Sequence, residues 1–234
     1  MTIVLFGEPE IGNLNMTLEV DLFWSFRSPY SYLSLPKATA LVARYDFVIN
    51  ARPVYPLAVR DPTFFKRTDP RFAMYVVRDS IRVAQKEGIP FRFPKPDPIV
   101  QNMQTLEVAS DQPYIRRLTR LGAAAQLAGR GLPFIREVSA VLYGGQVDNW
   151  HEGEHLAKAA SRAGLDLTQL ESGIAADPDT YDETIRSNER DHAASGHWGV
   201  PTFVFKGEPF FGQDRLDLLL WRLQQHGLQE RVAK

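Results

Sequence analysis

Cysteine is missing from all 234 residues. That absence excludes disulfide staples, a catalytic protein thiol and thiolate metal ligands together. Long apolar runs are missing as well: none approaches the roughly 18–20 residues that a membrane-spanning helix needs. A charge imbalance is also lacking. Lys plus Arg number 27 and Asp plus Glu 28, a formal net charge of −1, so the chain has no electrostatic footprint for a polyanionic partner. The local basic stretch Arg116, Arg117 and Arg120 reads as a solvated helix face rather than a nucleic-acid site. Thr2 to Phe6 are apolar, but no basic stretch precedes them and Gly7-Glu8-Pro9-Glu10 follows, which makes a poor secretory signal. Residues 1–16 read as a flexible leader, and a cytoplasmic location is the simplest expectation.

What the chain does have is a β-rich start, a helical middle and a β-rich end. Leu18 to Trp24 alternates and then runs apolar, as a strand with one buried end does. Pro29 to Arg44 has helical periodicity, and Phe47 to Val54 reads as a second strand, giving a βαβ unit. Helical patterns follow over Arg71 to Glu87, ended by Gly88, and over 113–129, 133–143, 150–163 and 178–194. Phe91 to Pro98 carries three prolines and must be looped or extended. Pro201 to Phe205 and Pro209 to Phe211 read as a hairpin, and a last helix runs from about Asp214 to Gln225. The expected fold class is therefore α/β: a thioredoxin-like βαβ…ββα mixed sheet over 17–68 and 197–230, with an all-helical insertion over 69–196.

Three motifs carry chemistry. In Phe23-Trp24-Ser25-Phe26-Arg27-Ser28-Pro29-Tyr30-Ser31-Tyr32-Leu33, a strand turns sharply into a helix. Proline in the first helical turn gives up no intrahelical bond, so Ser28 stands at the helix entry beside orphan amides and the positive dipole end. Thiol-disulfide enzymes with this arrangement have cysteine there. In this chain any thiol must arrive with a ligand. The second motif, Trp198-Gly199-Val200-Pro201-Thr202-Phe203, holds a candidate cis bond before Pro201. Alone it reads equally as a trans proline opening an edge strand; beside the Ser28 turn, cis is favoured, and the Val200 backbone could then pair with an extended ligand. The third, Phe211-Gly212-Gln213-Asp214-Arg215, could take an α-amino-acid head at a helix start, although Asp214 capping its own helix is the plainer reading.

Two further patterns point elsewhere. His151-Glu152-Gly153-Glu154-His155 matches the His-Glu-x-x-His spacing of zinc hydrolases, with His192 or His197 available to complete a site. A helix N-cap at Asp148-Asn149 with Glu152 closing a capping box is preferred, because Gly153 and a fraying first turn suit a metal poorly. No metal is expected. Arg78, Asp79 and Arg82 read as a surface ion-pair set, with an anion-binding role as the alternative.

Taken in order, the Ser28–Leu33 turn, Gly88-Ile89-Pro90-Phe91, Gly199-Val200-Pro201-Thr202 and Phe211-Gly212-Gln213-Asp214-Arg215 resemble the 2-hydroxychromene-2-carboxylate isomerase family. That family is close to kappa-class glutathione transferases, within the DsbA-like branch of thioredoxin folds. The resemblance spans about residues 18–225. It implies that Ser28 faces the sulfur of glutathione, that Val200 before a cis Pro201 holds the cysteinyl backbone, and that Gln213 and Asp214 take the γ-glutamyl group. It also implies a homodimer acting on a small aromatic substrate. Relatives carry a lysine and an asparagine in the region before the Gly-Ile-Pro turn, where this chain has arginines and Lys66. Two alternatives keep the fold: a kappa-like transferase or peroxidase, and a binding protein without activity.

Overall fold

The computed structural model describes residues 17–102, 104, 105 and 107–231; the leader expected over 1–16 lies outside them. Four strands form one sheet: β1 (Leu18–Trp24), β2 (Phe47–Pro53), β3 (Thr202–Phe205) and β4 (Glu208–Phe211), in the order β2-β1-β3-β4. Strand β1 runs parallel to β2 and antiparallel to β3, and β3 is antiparallel to β4. A parallel neighbour cannot be reached by a tight turn, so β1 and β2 are joined through helix α1 (Pro29–Arg44). The mixed sheet with its many helices is the thioredoxin-like DsbA architecture expected from the sequence.

Strand β1 lies centrally, which explains why its alternation breaks down. Val20, Leu22, Phe23 and Trp24 are all buried because both faces of its C-terminal end are covered. Between β2 and β3 come α2 (Leu57–Arg60), α3 (Phe64–Arg67), α4 (Pro70–Glu87), α5 (Pro113–Leu127), α6 (Gly131–Tyr143), α7 (His155–Arg162), α8 (Leu167–Ala176) and α9 (Pro178–Ala194). Helix α10 (Leu216–Gln225) ends the fold. Helices α5, α6 and α9 pack on β2. The approach of α5 is close: a Cβ on Gly122 would lie 2.8 Å from Pro53 Cγ and 3.0 Å from the Phe26 ring.

A polar network fastens α9 to the sheet. Arg52, on β2, donates to Asp21 at 2.9 Å, to Asn188 at 3.0 Å and to Asp191. Buried Asn188 donates to the Pro53 carbonyl at 3.0 Å and to Gln126 at 2.8 Å. An unpaired buried amide is costly, so satisfying every arm of Asn188 fixes where α9 lies.

Several expected boundaries are corrected. The helix expected over 150–163 begins only at His155, because Asn149 and Gly153 both adopt positive φ (52° and 57°) and residues 150–154 form turns. Neither Asp148 nor Asn149 caps it. The final helix begins at Leu216 with Arg215 at its N-cap, so Asp214 neither starts nor caps it. The short helices α2 and α3 and the separate helix α8 were not distinguished by periodicity. The Lys95-Pro96 bond is cis, as is Val200-Pro201.

His192, on α9, is completely buried and stacks on Phe23 with ring centroids 4.7 Å apart. Among the described residues, neither ring nitrogen has a hydrogen-bond partner. Burial, helped by the positive charge of Arg60, pushes its pKa down to about 4. The unfolded chain, with an ordinary histidine value of about 6.5, then binds the proton more tightly than the native state does. This contribution to stability is complete above about pH 6.5 and is lost as pH falls toward 4, reaching about 3 kcal/mol. Urea denaturation followed across that window should show stability falling with pH. His192→Phe should flatten the profile; an unchanged slope would show that other groups carry it.

Candidate functional site

The site grows from the turn between β1 and α1. Ser28 has extended backbone angles (φ −90°, ψ 116°), and its side chain accepts the Ser31 amide at 3.2 Å, capping α1. Pro29 then occupies the first helical position, where its missing N–H costs nothing. The same hydroxyl donates to the Val200 carbonyl at 3.2 Å, across 172 residues of sequence. Two of the three expected motifs are therefore in direct contact.

The loop carrying Val200 is braced on several sides. Gly199 N–H donates to His197 Nδ1 at 2.9 Å, and the His197 ring stacks on Phe211 at 4.0 Å between centroids. Burial depresses the His197 pKa, which keeps Nδ1 available as an acceptor. A Cβ on Gly199 would meet the Phe211 ring at 2.5 Å, so glycine permits this close stacking. Buried Thr202 returns a hydroxyl bond to the Gly199 carbonyl at 2.6 Å. The third motif joins through its backbone, with Gly212 N–H donating to the Pro201 carbonyl at 2.9 Å.

A cavity of about 420 Å³ opens beside this contact. Its walls come from the Ser28 turn, the Val200 loop, helices α2, α3 and α4, the proline-rich segment 93–98 and Tyr143. Aromatic side chains dominate: Phe65, Phe72, Tyr75, Phe93, Trp198 and Phe211 all face it. Two guanidinium groups also line the cavity, and they differ in kind. Arg27 is held by Asp97 at 3.0 Å and by Gln101 at 3.2 Å, so its charge is matched. Among the described residues, Arg60 donates only to carbonyls, those of Tyr55 at 2.8 Å and Trp198 at 2.9 Å. Burial lowers its pKa, with Glu189 acting in the opposite sense. Arg60 is thus a fixed, partly desolvated cation with no carboxylate in contact among the described residues, a condition that suits anion binding.

Ser28 and Val200 both line the cavity, whereas Pro201 is buried behind them. Gln213 is half-buried and Asp214 exposed; neither lines the cavity, and Asp214 pairs with Arg215 at 2.6 Å. Lys66 is exposed and outside the cavity, as are Arg78 and Arg82. Asp79 pairs with Arg82 at 3.9 Å, as the ion-pair reading expects, and also accepts the Tyr30 hydroxyl at 2.8 Å; burial and that bond hold the phenol protonated. Sequence reasoning missed Arg60, whose only signal was a cation four residues after Pro56 in a segment with no clear periodicity. The His-Glu-x-x-His stretch is not on one helix: His151 lies in a turn against Tyr114, while His155 is exposed at the start of α7. Among the described residues, no group of three His, Asp or Glu side chains is arranged to hold a metal, and no helix is long and apolar enough to cross a membrane.

Ser28 does two structural jobs, so Ser28→Ala should lower stability by about 1 kcal/mol, the usual cost of losing an N-cap side chain. Chemical denaturation checks this; an unchanged midpoint would mean that neither bond matters to the folded state.

Comparison with known proteins agrees with the architecture. No curated protein matches the sequence. Among solved structures, a 2-hydroxychromene-2-carboxylate isomerase superposes with a TM-score of 0.62 at 21% identity, covering 89% of this chain and 96% of the other. A probable DsbA oxidoreductase from Streptomyces coelicolor gives 0.60 at 19% identity, covering 89% of each chain. The cytosolic disulfide reductase DsbM from Pseudomonas aeruginosa, solved with GSH, gives 0.56 at 14% identity, covering 89% of this chain and 99% of that one. At these identities the likeness establishes the fold alone. The model of the DSBA-like thioredoxin domain matches residues 19–224, and the chain belongs to that family.

Proposed function

We propose that this protein is a glutathione-dependent isomerase acting on an aromatic-derived unsaturated carboxylate, similar to 2-hydroxychromene-2-carboxylate isomerase. One observation carries the reading. In a chain without cysteine, the Ser28 hydroxyl and the Val200 backbone stand together on the wall of an aromatic-lined cavity. Disulfide exchange requires a protein thiol and is excluded. The residues present fit a thiol tripeptide: a hydroxyl at a helix N-terminus for the sulfur, the Val200 backbone for an extended ligand, and Arg60 for a carboxylate. Gln213 and Asp214 are assigned the γ-glutamyl group, joined to the site through the Gly212–Pro201 backbone bond. Bound glutathione would supply a nucleophilic thiolate for reversible addition to an electron-poor double bond, with no net redox change.

The chain's own part is electrostatic. A thiol of pKa near 8.5 is only about 3% ionised at pH 7, and lowering that value to about 7 makes it half thiolate. The Ser28 hydroxyl and the amides of the first turn of α1 favour the charged form. The aromatic walls suit a flat, apolar substrate. The chemistry suits a cytoplasmic, reducing setting. An exposed apolar row on α4, Met74, Val77 and Ile81, supports assembly as a homodimer.

Calorimetry with glutathione tests the binding, and ultraviolet titration of the bound thiol tests the chemistry. Glutathione should bind at millimolar concentration or below. Ser28→Ala should raise the bound thiol's pKa by about one unit, equivalent to about 1.4 kcal/mol. Arg60→Ala should weaken glutathione roughly tenfold and leave the binding of an uncharged thiol unchanged. No heat at millimolar glutathione would reduce the protein to a binding module for another ligand. Conjugation to a chlorinated nitroaromatic without isomerase activity would assign it to the transferases instead.

A further inference from the structure

The hydroxyl proton of Ser28 is already in use. A serine hydroxyl has one proton to donate and two lone pairs with which to accept. In this site the proton goes to the Val200 carbonyl at 3.2 Å, and one lone pair takes the Ser31 amide at 3.2 Å. A thiolate can only accept, so the hydroxyl as it stands offers a ligand sulfur nothing. Turning the O–H toward a sulfur would strip the half-buried Val200 carbonyl of this donor. Loss of a partly buried acceptor's partner works against the gain at the sulfur. The conflict disappears if the ligand brings a donor of its own for that carbonyl.

We propose that Ser28 is a two-position donor controlled by Val200: its hydroxyl bonds to the Val200 carbonyl in the free site, and turns to the ligand sulfur only when a backbone N–H of the ligand takes over that carbonyl. The inference rests on the glutathione reading above and deepens it. It makes the site selective among thiols by amide chemistry rather than by size. A peptide thiol with an N–H on the sulfur-bearing residue is activated. A thiol without that N–H can occupy the apolar cavity and remain protonated.

Two readouts test this. The first is the pKa of the bound thiol, from its ultraviolet absorbance, for glutathione and for an analogue N-methylated at the cysteinyl amide. Glutathione should show a thiol pKa about one unit below its free value, roughly tenfold more thiolate at a fixed pH below it. The N-methyl analogue should stay within a few tenths of a unit of its own free value, and Ser28→Ala should abolish the difference between the two. The second readout is the carbonyl carbon resonance of Val200 in the full-length protein. It should differ between wild type and Ser28→Ala in the free state and converge when both are saturated with glutathione.

Equal pKa lowering by the two ligands would overturn the gating while leaving Ser28 as the sulfur's partner. If the analogue does not bind, the carbonyl resonance decides: convergence supports the gate, and a persistent difference overturns it. An unchanged thiol pKa in Ser28→Ala, or no binding of glutathione at all, would overturn the proposed role of Ser28 and the gate together.

Discussion

The bond from the Ser28 hydroxyl to the Val200 carbonyl joins the first βα turn to the loop that enters β3, and the candidate site exists because those two turns touch. One neutral hydrogen bond contributes only about 0.5–1.5 kcal/mol, so it cannot hold them together by itself. The sheet does that. Strand β1 pairs with β3 through Phe23↔Thr202, which brings the end of β1 and the start of β3 to the same edge of the fold. The hydrogen bond then fixes the fine geometry of two turns that the sheet has already brought together.

Bracing of the Val200 loop follows from what surrounds it. Its carbonyls and amides are taken by His197 and Thr202 at its own two ends, by Gly212 from the turn after β4 and by Arg60 from α2. Arg60 links two functions in one side chain. By donating to the Tyr55 and Trp198 carbonyls it ties α2 to the loop. Those partners are neutral, so its positive charge is offset only at a distance, by Glu189. Arg27 shows the contrast: bound to Asp97, it fastens the proline-rich segment to the Ser28 turn and presents little net charge. Two arginines lining one cavity thus divide into a cation bonded only to carbonyls among the described residues and a structural clasp.

Legibility in the sequence followed the range of the interaction. The limits of β1, α1 and α9 could be read directly, because Ser28-Pro29 and Asp177-Pro178 place a capping side chain before a first-turn proline, and local rules decide such ends. The end of α4 was equally plain from Gly88, which adopts φ 65°. The start of α7 was not, because the capping pattern at Asp148-Asn149 lost to a non-local demand: Asn149 N–H donates to the Lys95 carbonyl and Trp150 Nε1 to that of Pro96. Those bonds hold the segment against the proline-rich loop in place of a helical turn. At the site itself, Ser28 and Val200 stood out as motif residues, whereas Arg60 acquires meaning only from carbonyls that the fold delivers to it.

The missing cysteine bears directly on the proposed mechanism. A serine hydroxyl does not ionise near neutral pH, so at the helix entry Ser28 can only donate or accept hydrogen bonds. An apolar cavity penalises a bare thiolate, raising its pKa, unless something compensates. In the proposed function compensation would have two sources, the dipole of α1 and the Ser28 hydroxyl, and the second is bonded to Val200 in this structure. Had position 28 carried a thiol, that thiol would have been exposed to oxidation whether or not a ligand was present. With a serine there and no cysteine elsewhere, the proposed function would have the reactive sulfur present only when the site is occupied, and would confine reactivity to the moment of binding.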